Sequence, residues 1–484
     1  MQNLSNLSLL KRCSYINGRW MDSENTLSVI NPATETTIAE VCEVTASQIE
    51  QAISDAATAV AQWQLLDYGL RSEKLLLWRD LLLENQQDLA RILTLEQGKP
   101  FSEAIGEISH AANYLQTYAN QHSIFEAPET INAERNQNAK VYRRSIGVVT
   151  AITPWNFPCA MVIRKVGAAL AAGCSFVLKP SELTPLSALA LAQLAEQAGI
   201  PAGVFSVVVG SNAQAIGEIL TQHAKVAKFS FTGSTLVGKK LLQQCAMGVK
   251  RTSMELGGNA PFIVFEDADL DAAVEGTFAC KFRNSGQTCV SANRFIIHEN
   301  IAKEFKRKLQ IKMKSLVVGN NGQSEFHIGP LINRRALDKI NGLLDQALTL
   351  GAKIIEGGKE IESKGYFFEP TIIEDITPEM EIFKREIFGP VVSIITFETD
   401  EEAIRLANQT ELGLCGYLYT KKQSRIATIA QQIQVGMLGI NQGRLSNTES
   451  PFGGVKQSGM GREGGRYGVE EYLDYQFVCA DFAS

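Results

Sequence analysis

The chain has 484 residues, 45% of them hydrophobic and 20% charged, a composition ordinary for a soluble globular protein. At roughly 150 to 200 residues per domain, that length predicts two or three domains. The formal net charge of −6 argues against a general nucleic-acid binder, because phosphate recognition needs a basic face.

Met1 to Arg19 lacks the apolar run and small-residue cleavage site of a signal peptide, and no stretch of about 18 apolar residues occurs. A cytoplasmic protein without a membrane span is expected. The first third is helical in character. Ser72 to Glu84 is leucine-rich with interspersed charges, and the next periodic stretch stops at Gly98-Lys99-Pro100. Ala127 to Ser145 reads as an extended arm or hairpin. From Ile146 to Cys245 strand and helix alternate: strands at Ile146–Ile152, Ser175–Leu178, Val204–Val209 and Lys228–Phe231, helices up to Ala172 and over Pro185–Ala198. That alternation predicts a parallel, doubly wound sheet, which binds nucleotides beyond the carboxyl ends of its strands. A second α/β set is expected from Pro261–Phe265 through Phe295–Ile297, Val391–Phe397 and Val435–Asn441, with a helix over Leu270–Phe282.

Chemistry concentrates in two segments. Met254-Glu255-Leu256-Gly257-Gly258-Asn259 holds a carboxylate beside paired glycines that allow close backbone approach. Phe282-Arg283-Asn284-Ser285-Gly286-Gln287-Thr288-Cys289 ends on a cysteine after a Gly-Gln turn, outside the expected helix. A thiolate nucleophile with a carboxylate that activates water suits covalent attack on a carbonyl carbon. The bland readings are a buried cysteine, which suits Cys280 in the helix, and a solvated turn carboxylate. The nine cysteines include no Cys-x-x-Cys pair and the five histidines are scattered, so neither a disulfide framework nor a metal site is expected.

Together with Ile152-Thr153-Pro154-Trp155-Asn156-Phe157-Pro158, Lys179-Pro180-Ser181-Glu182, Phe231-Thr232-Gly233-Ser234 and Glu386-Ile387-Phe388-Gly389-Pro390, these segments resemble the motifs of the NAD(P)-dependent aldehyde dehydrogenases, in order and spacing, over nearly the whole chain. The resemblance implies two doubly wound α/β domains plus a small oligomerisation sheet. It predicts a dinucleotide-binding domain from 1–124 and 146–256, a catalytic domain from 257–460, and an oligomerisation element from 125–145 and 461–484. It implies that Cys289 is the nucleophile, that Glu255 is the general base, and that Asn156 stabilises the oxyanion with the Cys289 amide. For the cofactor it implies Trp155, Lys179, Ser181, Glu182, Gly233, Ser234, Glu386 and Phe388. No Gly-x-Gly-x-x-Gly motif appears in the first α/β set, Ile146 to Cys245, and the family also lacks one there. An acidic Glu182 can hold ribose hydroxyls and repel a 2′-phosphate, so NAD is preferred and NADP remains open.

Arg164, Arg283 and Ser446, with Pro451-Phe452-Gly453-Gly454, resemble the succinate-semialdehyde branch, where two arginines and a serine hold the substrate carboxylate. A planar guanidinium suits that task. Glutarate semialdehyde, a broader aldehyde range, and a non-catalytic member of the fold stay open as alternatives. Ser291 stands where some members of the branch carry a second cysteine, and Arg444 adds positive charge to the Ser446 loop. The resemblance also implies a homodimer or homotetramer.

Overall fold

The computed structural model describes residues 4–125, 128–133, 136–319, 326–445 and 447–479. In the first sheet Phe205–Val207, Ser175–Lys179, Val148–Ile152, Val226–Thr232 and Arg251–Glu255 lie side by side in that order, all parallel. These strands are apolar on both faces because both faces are covered. Val149, Ala151, Phe176 and Leu178 pack into a core with Ala160–Ala171, Pro185–Gln197 and Phe101–Ala119. Val148, Val177, Phe229 and Phe231 turn the other way, toward Ala46–Trp63, Ala213–Gln222 and Thr235–Ala246. Chain order reverses between Val148–Ile152 and Val226–Thr232, and a crevice opens at such a switch point.

The second sheet orders Lys353–Glu356, Thr371–Glu374, Val391–Phe397, Ala292–His298, Ala260–Val264, Cys415–Tyr419 and Met437–Ile440, parallel except for the first strand. Two α/β units are therefore present, with a three-stranded sheet of Leu473–Cys479, Asn136–Ser145 and Glu129–Ala133 beside them.

Three features depart from the sequence reading. The first third is not wholly helical: Ser14–Ile16 and Arg19–Met21 form a hairpin on the edge of the first sheet, and Thr26–Asn31 pairs with Thr36–Cys42. Asn17 and Gly18, at φ of 49° and 74°, make that first turn, as a two-residue hairpin loop requires. Secondly, the helix expected over Leu270–Phe282 is regular only to Thr277; Phe278–Phe282 is a single π-turn. Thirdly, the boundary at 460 does not follow the strands. Gly459–Met460 pairs with Arg251–Glu255, and the helix Gly465–Glu470 packs on Ala160–Ala171, so among the described residues after 460 only Leu473–Cys479 pairs into the small sheet. A Cβ on Gly459 would come within 1.8 Å of the Met254 carbonyl, so glycine permits that close crossing.

Candidate functional site

The expected site residues gather where two sheets meet end to end. Ile152 leads to Trp155 and Asn156, Lys179 to Ser181 and Glu182, Thr232 to Gly233 and Ser234, and Glu255 to Gly257; each lies just past the carboxyl end of a first-sheet strand. Gly258, Cys289 and Glu386 to Phe388 instead precede second-sheet strands, at the amino ends of Ala260–Val264, Ala292–His298 and Val391–Phe397.

The loop before Cys289 is built against its local preference. Asn284, Ser285 and Gly286 are all left-handed, at φ of 50°, 55° and 75°. Each non-glycine residue there costs about 1–3 kcal/mol, so tertiary bonds must hold the turn. The Asn284 N–H donates to Glu103 Oε2 at 2.8 Å, and Asn284 Nδ2 donates to the Asn156 carbonyl at 3.0 Å. Gln287 Nε2 donates to the Asn284 and Pro330 carbonyls, while its Oε1 accepts from the Ile332 N–H at 2.9 Å. A Cβ on Gly286 would meet the Gly389 carbonyl at 2.2 Å. The Asn156 side chain is buried and donates from Nδ2 to the Gln287 carbonyl at 3.0 Å. Its second amide hydrogen remains for a ligand.

Cys289 and Glu255 sit in one low-dielectric pocket. Burial first, then the Glu386 charge, pushes the Cys289 thiol up to about 12, against the pull of Arg164 and Arg283. Burial and the neighbouring Glu463 carboxylate raise Glu255 well above the usual carboxylate range, against Arg164, Lys165 and Arg462. Glu255 Oε2 has no hydrogen-bond partner. Glu463 lies 2.8 Å from Arg164 Nη2 and accepts from Lys165 Nζ at 2.7 Å. Burial would raise it, but those two cations outweigh burial and hold it low. A carboxyl raised by burial, a half-buried thiol that feels its charge, and a buried amide donor have the parts for acyl transfer.

Of the remaining residues, Ser234 and Glu386 line a cleft, while Trp155, Lys179, Ser181, Glu182, Gly233 and Phe388 lie outside its lining. A cavity of about 760 Å³ is bounded by Ser234, Thr235, Gly257, Glu386 and Leu412, among others. Ser234 caps Thr235–Ala246, its Oγ accepting from the Val237 N–H, which turns the positive end of that helix to the cleft. A Cβ on Gly257 would stand 3.2 Å from Glu386 Oε2, and Glu386 Oε1 accepts from the Gly258 N–H at 3.2 Å. Phe388, at φ 58°, sets its ring edge-on to Trp155 with centroids 5.6 Å apart. Lys179 is buried and its Nζ lies 3.3 Å from Glu182 Oε2, which is half exposed. A narrow cradle, a helix N-terminus and carboxylates at both ends fit a dinucleotide.

The two arginines differ. Arg164 lies on Ala160–Ala171, fully buried, with its guanidinium 3.9 Å over Phe452 and 5.4 Å from Tyr114. Its charge is already met by Glu463, which sequence reading missed; Nε still lacks a hydrogen-bond acceptor. Arg283 is half buried beside Phe157, at 5.3 Å, and its Nε is also free. Burial, then both guanidinium charges, push His110 down to about 4. Both arginines therefore act on one region, which also contains His110 and Tyr114, one helical turn apart on Phe101–Ala119. Nothing in their spacing marked these two residues. Ser446 lies outside the described residues. Cys280 is buried, with its thiol toward the Thr277 carbonyl at 3.6 Å, as expected of a core cysteine.

Residues 20–478 match the Aldehyde dehydrogenase family, and the chain belongs to it. It is 47% identical to the 3-sulfolactaldehyde dehydrogenase of Pseudomonas putida, covering 99% of each chain. It is 46% identical to the glutarate-semialdehyde dehydrogenase of the same species, over 98% of this chain and 99% of the other. It is 45% identical to the NADP(+) succinate-semialdehyde dehydrogenase of Escherichia coli, with the same coverage. The crystal structure of succinate-semialdehyde dehydrogenase from Burkholderia pseudomallei superposes with a TM-score of 0.96 at 46% identity, covering 99% of both chains. Aldehyde dehydrogenase chemistry is thereby assigned to this chain.

Proposed function

We propose that the chain oxidises succinate semialdehyde to succinate with NAD(P)⁺. The observation that carries this reading is the convergence of Arg164 and Arg283 on the pocket of Cys289, each with an Nε that lacks an acceptor, although Arg164 is also paired with Glu463. Such a pair holds the far carboxylate of a short aldehyde acid and fixes the aldehyde carbon at the thiol. Ser446 is the proposed third contact.

In the proposed cycle Cys289 loses its proton and its sulfur attacks the aldehyde carbon. The Asn156 amide and the Cys289 N–H donate to the oxyanion that forms. Ser234, Glu182, Lys179 and Glu386 would hold NAD(P)⁺, with Trp155, Ser181, Gly233 and Phe388 beside it, and the bound cofactor would accept the hydride that leaves the aldehyde carbon to give the thioester. Glu255, ionised, then takes a proton from water, which attacks the thioester carbon and releases the acid from Cys289. Glu182 supports NAD as the preferred cofactor, while the name of the E. coli relative keeps NADP in contention. The exposed Tyr475, Phe477 and Val478 support the small sheet as a contact between copies.

The names of the Pseudomonas relatives favour a second reading, in which glutarate semialdehyde or an aldehyde with a sulfonate end is the better substrate. One methylene separates the carboxylates by only about 1–3 kcal/mol. Reduced-cofactor formation with the three acids and with an uncharged aldehyde tests the choice, in the parent and in Arg283→Ala. The proposal expects a KM for succinate semialdehyde raised about 10- to 100-fold by the variant, with the uncharged aldehyde nearly unaffected. Equal losses on charged and uncharged aldehydes would remove Arg283 from substrate recognition.

A further inference from the structure

We propose that Cys13 and Cys42 are an oxidisable pair that closes to a disulfide, a modification site separate from Cys289. Their Sγ atoms lie 2.9 Å apart, although 28 residues intervene in the sequence. The fold brings the pair together at the outer edge of the first sheet. Cys13 precedes the strand Ser14–Ile16, next to the edge strand Arg19–Met21, and Cys42 ends the strand Thr36–Cys42.

Both backbones are pinned. The Cys42 N–H donates to the Arg12 carbonyl at 2.7 Å, and the Glu43 N–H donates to the Asn25 carbonyl at 2.8 Å. Ser14 Oγ accepts from the Val209 N–H at 2.9 Å, and the Glu43 carboxylate accepts from Ser211. Cys13 is half buried and open to a small oxidant, while Cys42 is buried behind it. Cys289 instead precedes Ala292–His298, a strand of the second sheet.

Asp22 offers a competing use. Its Oδ1 accepts from Cys42 Sγ at 3.4 Å, and the three side chains could surround a cation. Two thiolates bound tetrahedrally at about 2.3 Å from zinc stand about 3.8 Å apart. The observed contact is shorter, Asp22 is exposed, and among the described residues no fourth protein ligand joins the group. Those observations favour the sulfur–sulfur bond. Burial, then the contact with Cys42 and the Asp22 charge, push the Cys13 thiol up to about 12, so the reduced pair exchanges slowly at neutral pH.

The oxidant is a small-molecule disulfide. One protein sulfur, deprotonated, attacks a sulfur of the oxidant and expels one thiolate, leaving a mixed disulfide. The second protein sulfur loses its proton and attacks the first, expelling the other thiolate. Two electrons pass to the oxidant, and both protons end on the two released thiols.

The full-length protein is incubated with oxidised glutathione, alkylated, digested without reduction and mapped by mass spectrometry. The expected product is a cross-linked peptide pair holding Cys13 and Cys42, released by reductant. It is accompanied by a Tm about 2–4 °C above the reduced protein. Cys13→Ser lacks both, and Cys42→Ala instead carries glutathione on Cys13. Separate alkylation of both thiols, or glutathione on each in the parent, overturns the proposal. So does one equivalent of zinc in the purified protein that Cys13→Ser and Asp22→Asn both remove, which would make the pair a metal site.

Discussion

Asn156→Ala separates rate from stability. The buried side-chain amide makes one protein hydrogen bond, from Nδ2 to the Gln287 carbonyl at 3.0 Å. That carbonyl keeps a second donor, Asn284 Nδ2 at 3.2 Å. The Asn156 backbone carbonyl, which accepts from Lys99 Nζ at 2.8 Å and Asn284 Nδ2 at 3.0 Å, survives in alanine. The loop before Cys289 therefore keeps its supports, and the stability loss is that of one net hydrogen bond, about 0.5–1.5 kcal/mol. Loss of an oxyanion donor costs far more in the transition state, about 100- to 1000-fold in kcat, or about 2.7–4 kcal/mol. KM moves little, because the ground-state aldehyde oxygen carries no full charge. Steady-state reduced-cofactor formation gives kcat and KM, and a thermal melt gives the stability term. A kcat within tenfold of the parent, with Tm lowered only slightly, refutes the role of this amide as an oxyanion donor.

Two further substitutions test the surroundings. Gly258→Ala places a Cβ 2.4 Å from the Cys289 carbonyl, so the backbone carrying the thiol must shift. A displacement near 1 Å costs about 100-fold in kcat, and retention of more than a tenth of parent activity contradicts that cradle. Glu182→Ser frees Lys179 Nζ from a carboxylate 3.3 Å away and removes a charge that repels a 2′-phosphate. The ratio of kcat/KM for NADP over NAD should rise about tenfold or more, and an unchanged ratio rejects Glu182 as the selector.

The parallel units were legible because their strands are buried on both faces and read as continuous apolar runs, Val148–Ile152 and Val391–Phe397 above all. The opening hairpins were not. Ser14–Ile16 and Arg19–Met21 have three residues each, too short for periodicity, and only the Asn17-Gly18 turn betrayed them. Of the site, the glycine-flanked motifs were readable because close approach leaves a sequence trace: Gly258 against Cys289, Gly286 against Gly389. The long-range partners left none. Glu463 reaches Arg164 and Lys165 across 298 residues for the lysine pair, and Glu103 reaches Asn284 across 181. The same limit hid Cys13 from Cys42, since spacing reveals only those thiols that a local turn brings together.

Glu463 supplies the sharpest electrostatic test. Glu255 must be ionised to accept a proton from water, and burial, then the Glu463 charge, raise it. A raised carboxyl is protonated at low pH and becomes a base only above its shifted value, so the hydrolytic step speeds up as pH rises. Glu463→Gln keeps the shape and removes the like charge. It also leaves Arg164 and Lys165 without their carboxylate, and both already pull Glu255 down. Both changes act in one direction, and the rising limb of steady-state turnover moves to lower pH. Leaving buried cations unpaired costs stability, about 3–5 kcal/mol. The thiol behaves differently. Cys289 is held high chiefly by burial and Glu386, with Glu255 adding to them against Arg164 and Arg283. Its attack, read as the first burst of reduced cofactor, should keep nearly the parent's pH dependence. Burst and steady-state profiles moving together would mean that Glu463 acts on the whole pocket rather than through Glu255. A limb moving to higher pH would contradict the assignment of Glu255 as the base.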